Sequence, residues 1–208
     1  MSNQGNKAKE SMSIFLIRHG KPIGAINPRI GAAGFARWVR RYDASGLMPD
    51  SQPPISLRAR LPQGLVLSSN LRRAIESAQR CLGRPPERTL ALLREMAIPR
   101  YRLPLRMGAY TWLILNRALW YLGASGPFES YSAARERAGR AANELQCLNQ
   151  EHGDLIVFGH VLMNRQIARH LISQGWQGDA KYCDYWGMMA LTLNPDRSRA
   201  ALRPSMAE

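Results

Sequence analysis

A short apolar run, Ile14-Phe15-Leu16-Ile17, ends abruptly in Arg18-His19-Gly20. A neutral imidazole is a nucleophile, and a guanidinium beside it offers a planar fork of donors that matches phosphate oxygens. The pair points to phosphate chemistry. A second histidine has the same context: Asp154-Leu155-Ile156-Val157-Phe158-Gly159 is again apolar and delivers His160 at its end. Between the two, Leu65-Val66-Leu67-Ser68-Ser69 runs through Asn70 and Leu71 into Arg72-Arg73-Ala74-Ile75-Glu76-Ser77-Ala78. There a strand turns into a helix, whose first turn offers unpaired backbone N–H groups and a favourable dipole to an anion. Arg72 and Arg73 face different sides of such a helix, so at most one of them enters a pocket. His152 and His170 lack a comparable context.

These residues need elements to hold them. Apolar runs this short, bounded by glycine or polar residues, read as buried strands. Parallel strands end on the same side of their sheet, which is where ligands bind in open α/β folds. His19 and His160 are therefore expected as neighbours. After the first strand come a Gly/Pro-rich loop over 20–34, a basic helix around Phe35 to Tyr42, and a second irregular segment at Pro49, Pro53 and Pro54. The strand 65–69 leads to a helix over 71–82 with Asn70 as its N-cap. A third extended segment covers 89–93 and ends at Arg94-Glu95. A polar helix over 129–150, a helix over 161–172 and a last strand over 188–193 follow. This alternation predicts an α/β fold: a three-layer sandwich with a mostly parallel central sheet flanked by helices. A single domain over 13–195 is expected, with flexible tails at 1–12 and 196–208.

The chain has 208 residues, enough to bury a core without disulfides or metal. Its 29 Lys+Arg against 15 Asp+Glu give a net charge of +14, most of it arginine, which concentrates anionic partners: phosphorylated metabolites, nucleic acid or an acidic membrane surface. Three widely spaced cysteines without a C-x-x-C favour reduced thiols and a cytoplasmic location. The stretch 107–122 is the most apolar in the chain, but Asn116 and Arg117 interrupt it and it is too short for a transmembrane segment, so a buried or interfacial helix is expected. Its Trp, Leu and Tyr content predicts packing over the sheet edge, in a homodimer contact through 110–122, or against a greasy substrate.

Four ordered elements resemble the histidine phosphatase superfamily, also called phosphoglycerate mutase-like. They are Arg18-His19-Gly20; Ser69-x-Leu71-x-Arg73-Ala74-x-x-Ser77-Ala78, where the family commonly has S-x-L-x-R-A-x-x-T-A; Leu93-Arg94-Glu95; and the apolar strand ending in His160. Together they span about Ser13 to Ile172. The resemblance implies that His19 attacks phosphorus and forms a phosphohistidine. Arg18, Arg73 and His160 would surround the phosphoryl oxygens, and Glu95 would protonate the leaving oxygen and then take a proton from water. Neighbouring arginines disfavour protonation of the His19 ring and keep it able to attack. No metal and no cofactor is expected: H-E-x-x-H, G-x-x-x-x-G-K-[ST] and magnesium-type carboxylate clusters are missing from the sequence.

Lys21, Arg100, Arg102 and Ser130 are further candidates for substrate binding. Lys21 follows Gly20, Arg100 and Arg102 with Arg106 form a basic rim, and Ser130 ends a run, Gly126-Pro127-Phe128-Glu129-Ser130, resembling a Gly-Glu-Ser substrate loop. Two departures stand out. Val161 follows the second histidine where glycine is frequent, and Met96-Ala97-Ile98-Pro99-Arg100 replaces a Gly-x-Trp-Glu-Gly-like run. The expectation is a metal-independent phosphomonoester phosphatase acting on a phosphorylated small molecule, with no specific nucleic-acid partner. The alternatives are a mutase of the same superfamily and a non-catalytic basic module that binds nucleic acid or anionic lipid.

Overall fold

The computed structural model describes residues 12–181 and 183–193. In chain order its elements are β1 (Ser13–Arg18), β2 (Arg29–Gly31), α1 (Ala32–Ala44), α2 (Ile55–Ala59), β3 (Leu65–Ser69), α3 (Arg72–Leu82), β4 (Arg88–Leu90), β5 (Arg106–Gly108), α4 (Ala109–Tyr121), α5 (Tyr131–His152), β6 (Leu155–Gly159), α6 (Val161–Ser173), β7 (Trp176–Gly178) and β8 (Met188–Leu193). The expected tails at 1–12 and 196–208 lie outside the described residues, apart from Met12.

The main sheet has the order β4-β3-β6-β1-β8-β7. β4, β3, β6 and β1 run parallel, whereas β8 is antiparallel to both β1 and β7. Period-2 alternation sorts the strand side chains to two faces. Ile14, Leu16, Leu67, Leu155 and Val157 pack under α5 and α6, while Ile17, Val66, Ile156 and Phe158 pack against Ala78 and Cys81 of α3. Helices therefore cover both faces, as the α/β expectation required. α5 brings Ala134, Ala138, Ala141 and Ala142 to the sheet side, and these small residues let it sit close to α6.

A third apolar cluster stands apart from the sheet. Phe35, Trp38 and Val39 of α1 pack on Ile98, Ala109 and Trp112, and the two rings Phe35 and Trp112 stack at 5.6 Å. The spacing of Phe35, Trp38, Val39 and Tyr42 makes one face of α1 apolar. An antiparallel two-stranded ribbon, β2 with β5, ties the same region together. These pieces form a cap beside the C-terminal ends of the parallel strands.

Several local expectations are corrected. α1 begins at Ala32, inside the expected Gly/Pro loop, which also contains β2. The segment after Pro54 is helical, as α2. Asn70 does not cap α3: Leu71 is the N-cap, and the Ser69 hydroxyl accepts the Leu71 N–H at 3.3 Å. The extended segment 89–93 divides into β4 and a 3-10 turn over Ala91–Leu93. β7 falls between the expected helix over 161–172 and the expected strand over 188–193, where the sequence reading placed no element; it forms by antiparallel pairing with β8.

Candidate active site

Adjacent parallel strands dictate the first contacts. Arg18 of β1 pairs in register with Gly159 of β6, so the residues that follow, His19 and His160, emerge side by side. The His19 N–H donates to the Gly159 carbonyl at 3.0 Å, and the two rings meet edge to face at 5.0 Å. β3 lies on the far side of β6 and ends at Ser69, whose hydroxyl is 2.6 Å from His160 Nε2. Gly20 has a steric reason to be glycine, since a Cβ there would lie 2.4 Å from the Trp186 ring and 2.7 Å from Ser51 Oγ.

Arg73 is the link to α3. It is fully buried (0% exposed), whereas its neighbour Arg72 is 70% exposed at its side chain and pairs with Glu76. Arg73 Nε donates to His19 Nε2 at 3.2 Å, and its Nη1 donates to the Tyr42 and Asp43 carbonyls at 3.0 and 3.2 Å. These carbonyls belong to the last turn of α1, where a cation is favoured by the helix dipole. The Tyr42 ring lies under the guanidinium at 4.8 Å. Ser77, one turn along α3, accepts the Gly20 N–H at 3.0 Å and donates to the Arg73 carbonyl.

The tautomer of His19 follows from its partners. Nδ1 is 2.7 Å from the Gly20 carbonyl, which can only accept, so Nδ1 carries the proton and Nε2 carries the lone pair. Burial pushes the His19 pKa well below 6.5, and the charges of Arg73 and Arg18 add to this while the Gly20 carbonyl opposes it. Burial likewise depresses His160, with His19, Arg73 and Arg18 contributing. Both rings are neutral near pH 7. Among the described residues the buried His160 Nδ1 has no hydrogen-bond partner.

Arg18 lays its guanidinium over the Tyr185 ring at 4.1 Å and donates to the Cys183 carbonyl at 2.8 Å. Glu95 sits at the start of α6, whose N-cap is His160. Its Oε1 accepts from the Met96 and Met163 N–H groups at 3.0 and 3.1 Å, leaving Oε2 with one long contact, 3.4 Å to the Leu162 N–H. The segment carrying Glu95 is held by α5: Arg137 forks onto Glu129 and donates to the Leu92 and Arg94 carbonyls. Arg18 and Glu95 line one cavity of about 330 Å³, together with Arg117, whose Nη2 donates to the Met96 carbonyl. The rest of the wall is largely apolar and aromatic, from Trp38, Tyr42, Ile98, Tyr110, Leu113 and Tyr185.

The structure thus brings His19, His160, Arg18, Arg73 and Glu95 to one sheet edge. Other candidates lie apart. Lys21 and Arg102 are exposed and line none of the described cavities, and Ser130 caps α5 by accepting the Ala133 N–H at 3.1 Å. Arg100 lines a neighbouring cavity that shares Glu95. The sequence reading assigned no role to Ser69, Ser77, Tyr42, Tyr185 or Arg117. The two serines sit in the motif around Arg73 and were findable there. The others come from α1, α4 and the 183–187 loop, which only the fold brings to the histidines. Of the stretch 107–122, Trp112 and Trp120 are buried within the chain's own core.

Comparison with known proteins places this geometry. Among solved structures, a putative alpha-ribazole-5'-P phosphatase from Escherichia coli K-12 is 17% identical with a TM-score of 0.59, covering 88% of this chain and 91% of that one. The protein TTHB049 from Thermus thermophilus is 21% identical with a TM-score of 0.56, covering 88% and 98%. The product of the open reading frame Rv3214 from Mycobacterium tuberculosis is 16% identical with a TM-score of 0.52, covering 76% and 78%. At such identities the likeness is one of fold. No curated protein matches the sequence. The family model of the histidine phosphatase superfamily (branch 1) matches residues 56–202, a span that holds Arg73, Glu95 and His160 and begins after β1. A match over well over half of the 208 residues, on a fold with paired strand-end histidines, means that the chain belongs to the histidine phosphatase superfamily.

Proposed function

We propose that the protein is a metal-independent phosphomonoester phosphatase working through a phosphohistidine on His19. One observation carries this reading: His19 Nε2 holds its lone pair beside a buried arginine, with the Nδ1 proton anchored on the Gly20 carbonyl. In the first step Nε2 attacks phosphorus, the bond to the leaving oxygen breaks, and Glu95 supplies the proton which that oxygen takes up. In the second step water attacks the phosphohistidine, its proton passes to Glu95, and the N–P bond breaks to release phosphate. Arg18 and Arg73 neutralise charge spread over the transferring oxygens. A phosphoryl oxygen would also satisfy the buried His160 Nδ1, which is costly to leave unbonded.

The apolar cavity wall favours hydrolysis over a mutase reaction, because a mutase must also hold a second phosphate on its bisphosphorylated intermediate. The test is phosphate release from a panel of phosphomonoesters in the presence of chelator. Release that vanishes in His19→Ala, together with an acid-labile, base-stable phosphoprotein trapped in the wild type, is the expected result. Isomerised product without free phosphate would overturn it.

A further inference from the structure

The stretches 21–42 and 96–128, which build the cap, contain Lys and Arg but not one Asp or Glu. Arg29, Arg37, Arg40, Arg41, Arg102 and Arg106 are exposed there, and none of them forms an ion pair among the described residues. Arg29 and Arg106 share one face of the β2–β5 ribbon: Gly31 pairs with Arg106, and Arg29 is two residues from Gly31. Large aliphatic side chains lie open among these cations. Ile23 is 59% exposed, Ile26 is 60% and Ile114 is 70%.

These features adjoin one another and the cavity that Arg18 and Glu95 line. Ile23 and Ile26 line a groove of about 490 Å³ with Gly34, Arg37, Trp38 and Arg41, which recur on one face of α1. Trp38 also lines the cavity of Arg18 and Glu95, so the groove and that cavity share a wall residue. The Tyr110 hydroxyl donates to the Ala25 carbonyl at 2.9 Å, which docks the start of α4 on the loop that carries both isoleucines. Ile114 stands one turn beyond Tyr110 on the same helix face.

We propose that this cap is a docking surface for an anionic lipid bilayer, presenting the cavity to phosphomonoesters borne on lipid; the substrate part rests on the phosphatase reading above. Exposed aliphatic side chains ringed by arginines outside any ion pair are the composition that inserts shallowly into acyl chains while binding anionic headgroups. Nucleic acid would instead want open rings for stacking; here Trp38 is buried, the Tyr110 ring (41% exposed) is set edge-on against it at 6.5 Å, Tyr121 is 46% exposed, and the three isoleucines are more open than either tyrosine. A second copy would bring like charge onto like charge. Among the described residues no helix is long and apolar enough to span a membrane, so the contact is peripheral.

The experiment is co-sedimentation with vesicles of phosphatidylcholine alone and of phosphatidylcholine with phosphatidylglycerol, at low and high salt. Binding to the anionic vesicles only, weakened by salt, is expected. It should fall at least ~10-fold in Arg37→Gln/Arg41→Gln, and similarly in Ile23→Ser/Ile26→Ser/Ile114→Ser. Both variants should keep the wild-type rate on soluble p-nitrophenyl phosphate, which also reports that they are folded, while losing turnover of phosphatidic acid in the anionic vesicles. Equal binding to both vesicle types overturns the proposal, as does absence of binding. So does tight oligonucleotide binding that the isoleucine substitutions leave unchanged, or a dimer in sedimentation that they dissolve. Vesicle binding without turnover of either phosphate would sink the phosphatase reading and the lipid substrate with it, and leave the docking surface standing.

Discussion

His19 Nε2 and Glu95 Oε2 are the less committed atoms of their side chains: Nε2 accepts from Arg73 Nε at 3.2 Å, and Oε2 has only the 3.4 Å contact to the Leu162 N–H. Nδ1 of His19 is occupied by the Gly20 carbonyl, and Glu95 Oε1 by two backbone N–H groups. If Glu95 protonates the leaving oxygen, its effect depends on how badly that oxygen needs a proton. In single-turnover formation of the phosphoenzyme, Glu95→Gln should slow an alkyl phosphate by ~10²–10⁴-fold. p-Nitrophenyl phosphate, with a stable phenolate leaving group, should be slowed far less. Equal losses on both would assign Glu95 a positioning role instead. The positions of Arg18, His19, Glu95 and His160 were legible in the sequence, because each ends or follows a strand or turn and local pattern marks such places; for Arg73 the residue pattern left Arg72 open, since both stand in the first turn of α3. Ser130 was read as the end of a substrate-loop-like run, and in the structure its hydroxyl caps α5. Lys21 shows the limit: adjacency to Gly20 says nothing about where its side chain points.

At the scale of elements, the cap has an apolar cluster of its own, and this separates its stability from that of the sheet. Trp112 is fully buried, stacks on Phe35 and donates to the Ile30 carbonyl at 2.8 Å. Trp112→Ala should destabilise the protein by about 3–5 kcal/mol. The loss should be local: amide exchange over 25–44 and 98–114 should quicken before that of β1, β3 and β6. Uniform quickening would mean that the cap and sheet unfold as one unit. α4 was expected as a helix from its apolar content, but which of its faces would be buried was not. That was decided by α1, more than sixty residues earlier, which supplies Phe35 and Trp38 to the contact.

For the whole molecule, two buried neutral histidines make stability depend on pH. Above about 6.5, the ordinary histidine value, folded and unfolded chains both carry neutral rings and the pair adds no pH dependence. Below it the unfolded chain takes up protons that burial denies to the folded one. Stability therefore falls with pH, by up to about 1.4 kcal/mol per pH unit for each ring, until the depressed folded values are reached. The urea midpoint should drop between pH 7 and pH 5, and His19→Asn should flatten that slope. A midpoint indifferent to pH in this window would contradict the burial of the rings.

By itself the sequence determined the sheet edge and what arrives there. Short apolar runs that end in a histidine encode both strand and terminus, and parallel register then sets His19 beside His160. The choice of Arg73 over Arg72, the proton on Nδ1, and the apolar wall of the cavity were left to tertiary structure. Each depends on the direction of a side chain toward partners far along the chain: the α1 carbonyls that receive Arg73, the Trp186 ring that leaves room only for glycine at position 20, and the α4 residues that close the cavity. Local pattern fixes where a residue lies on its own element, and long-range packing fixes what it faces.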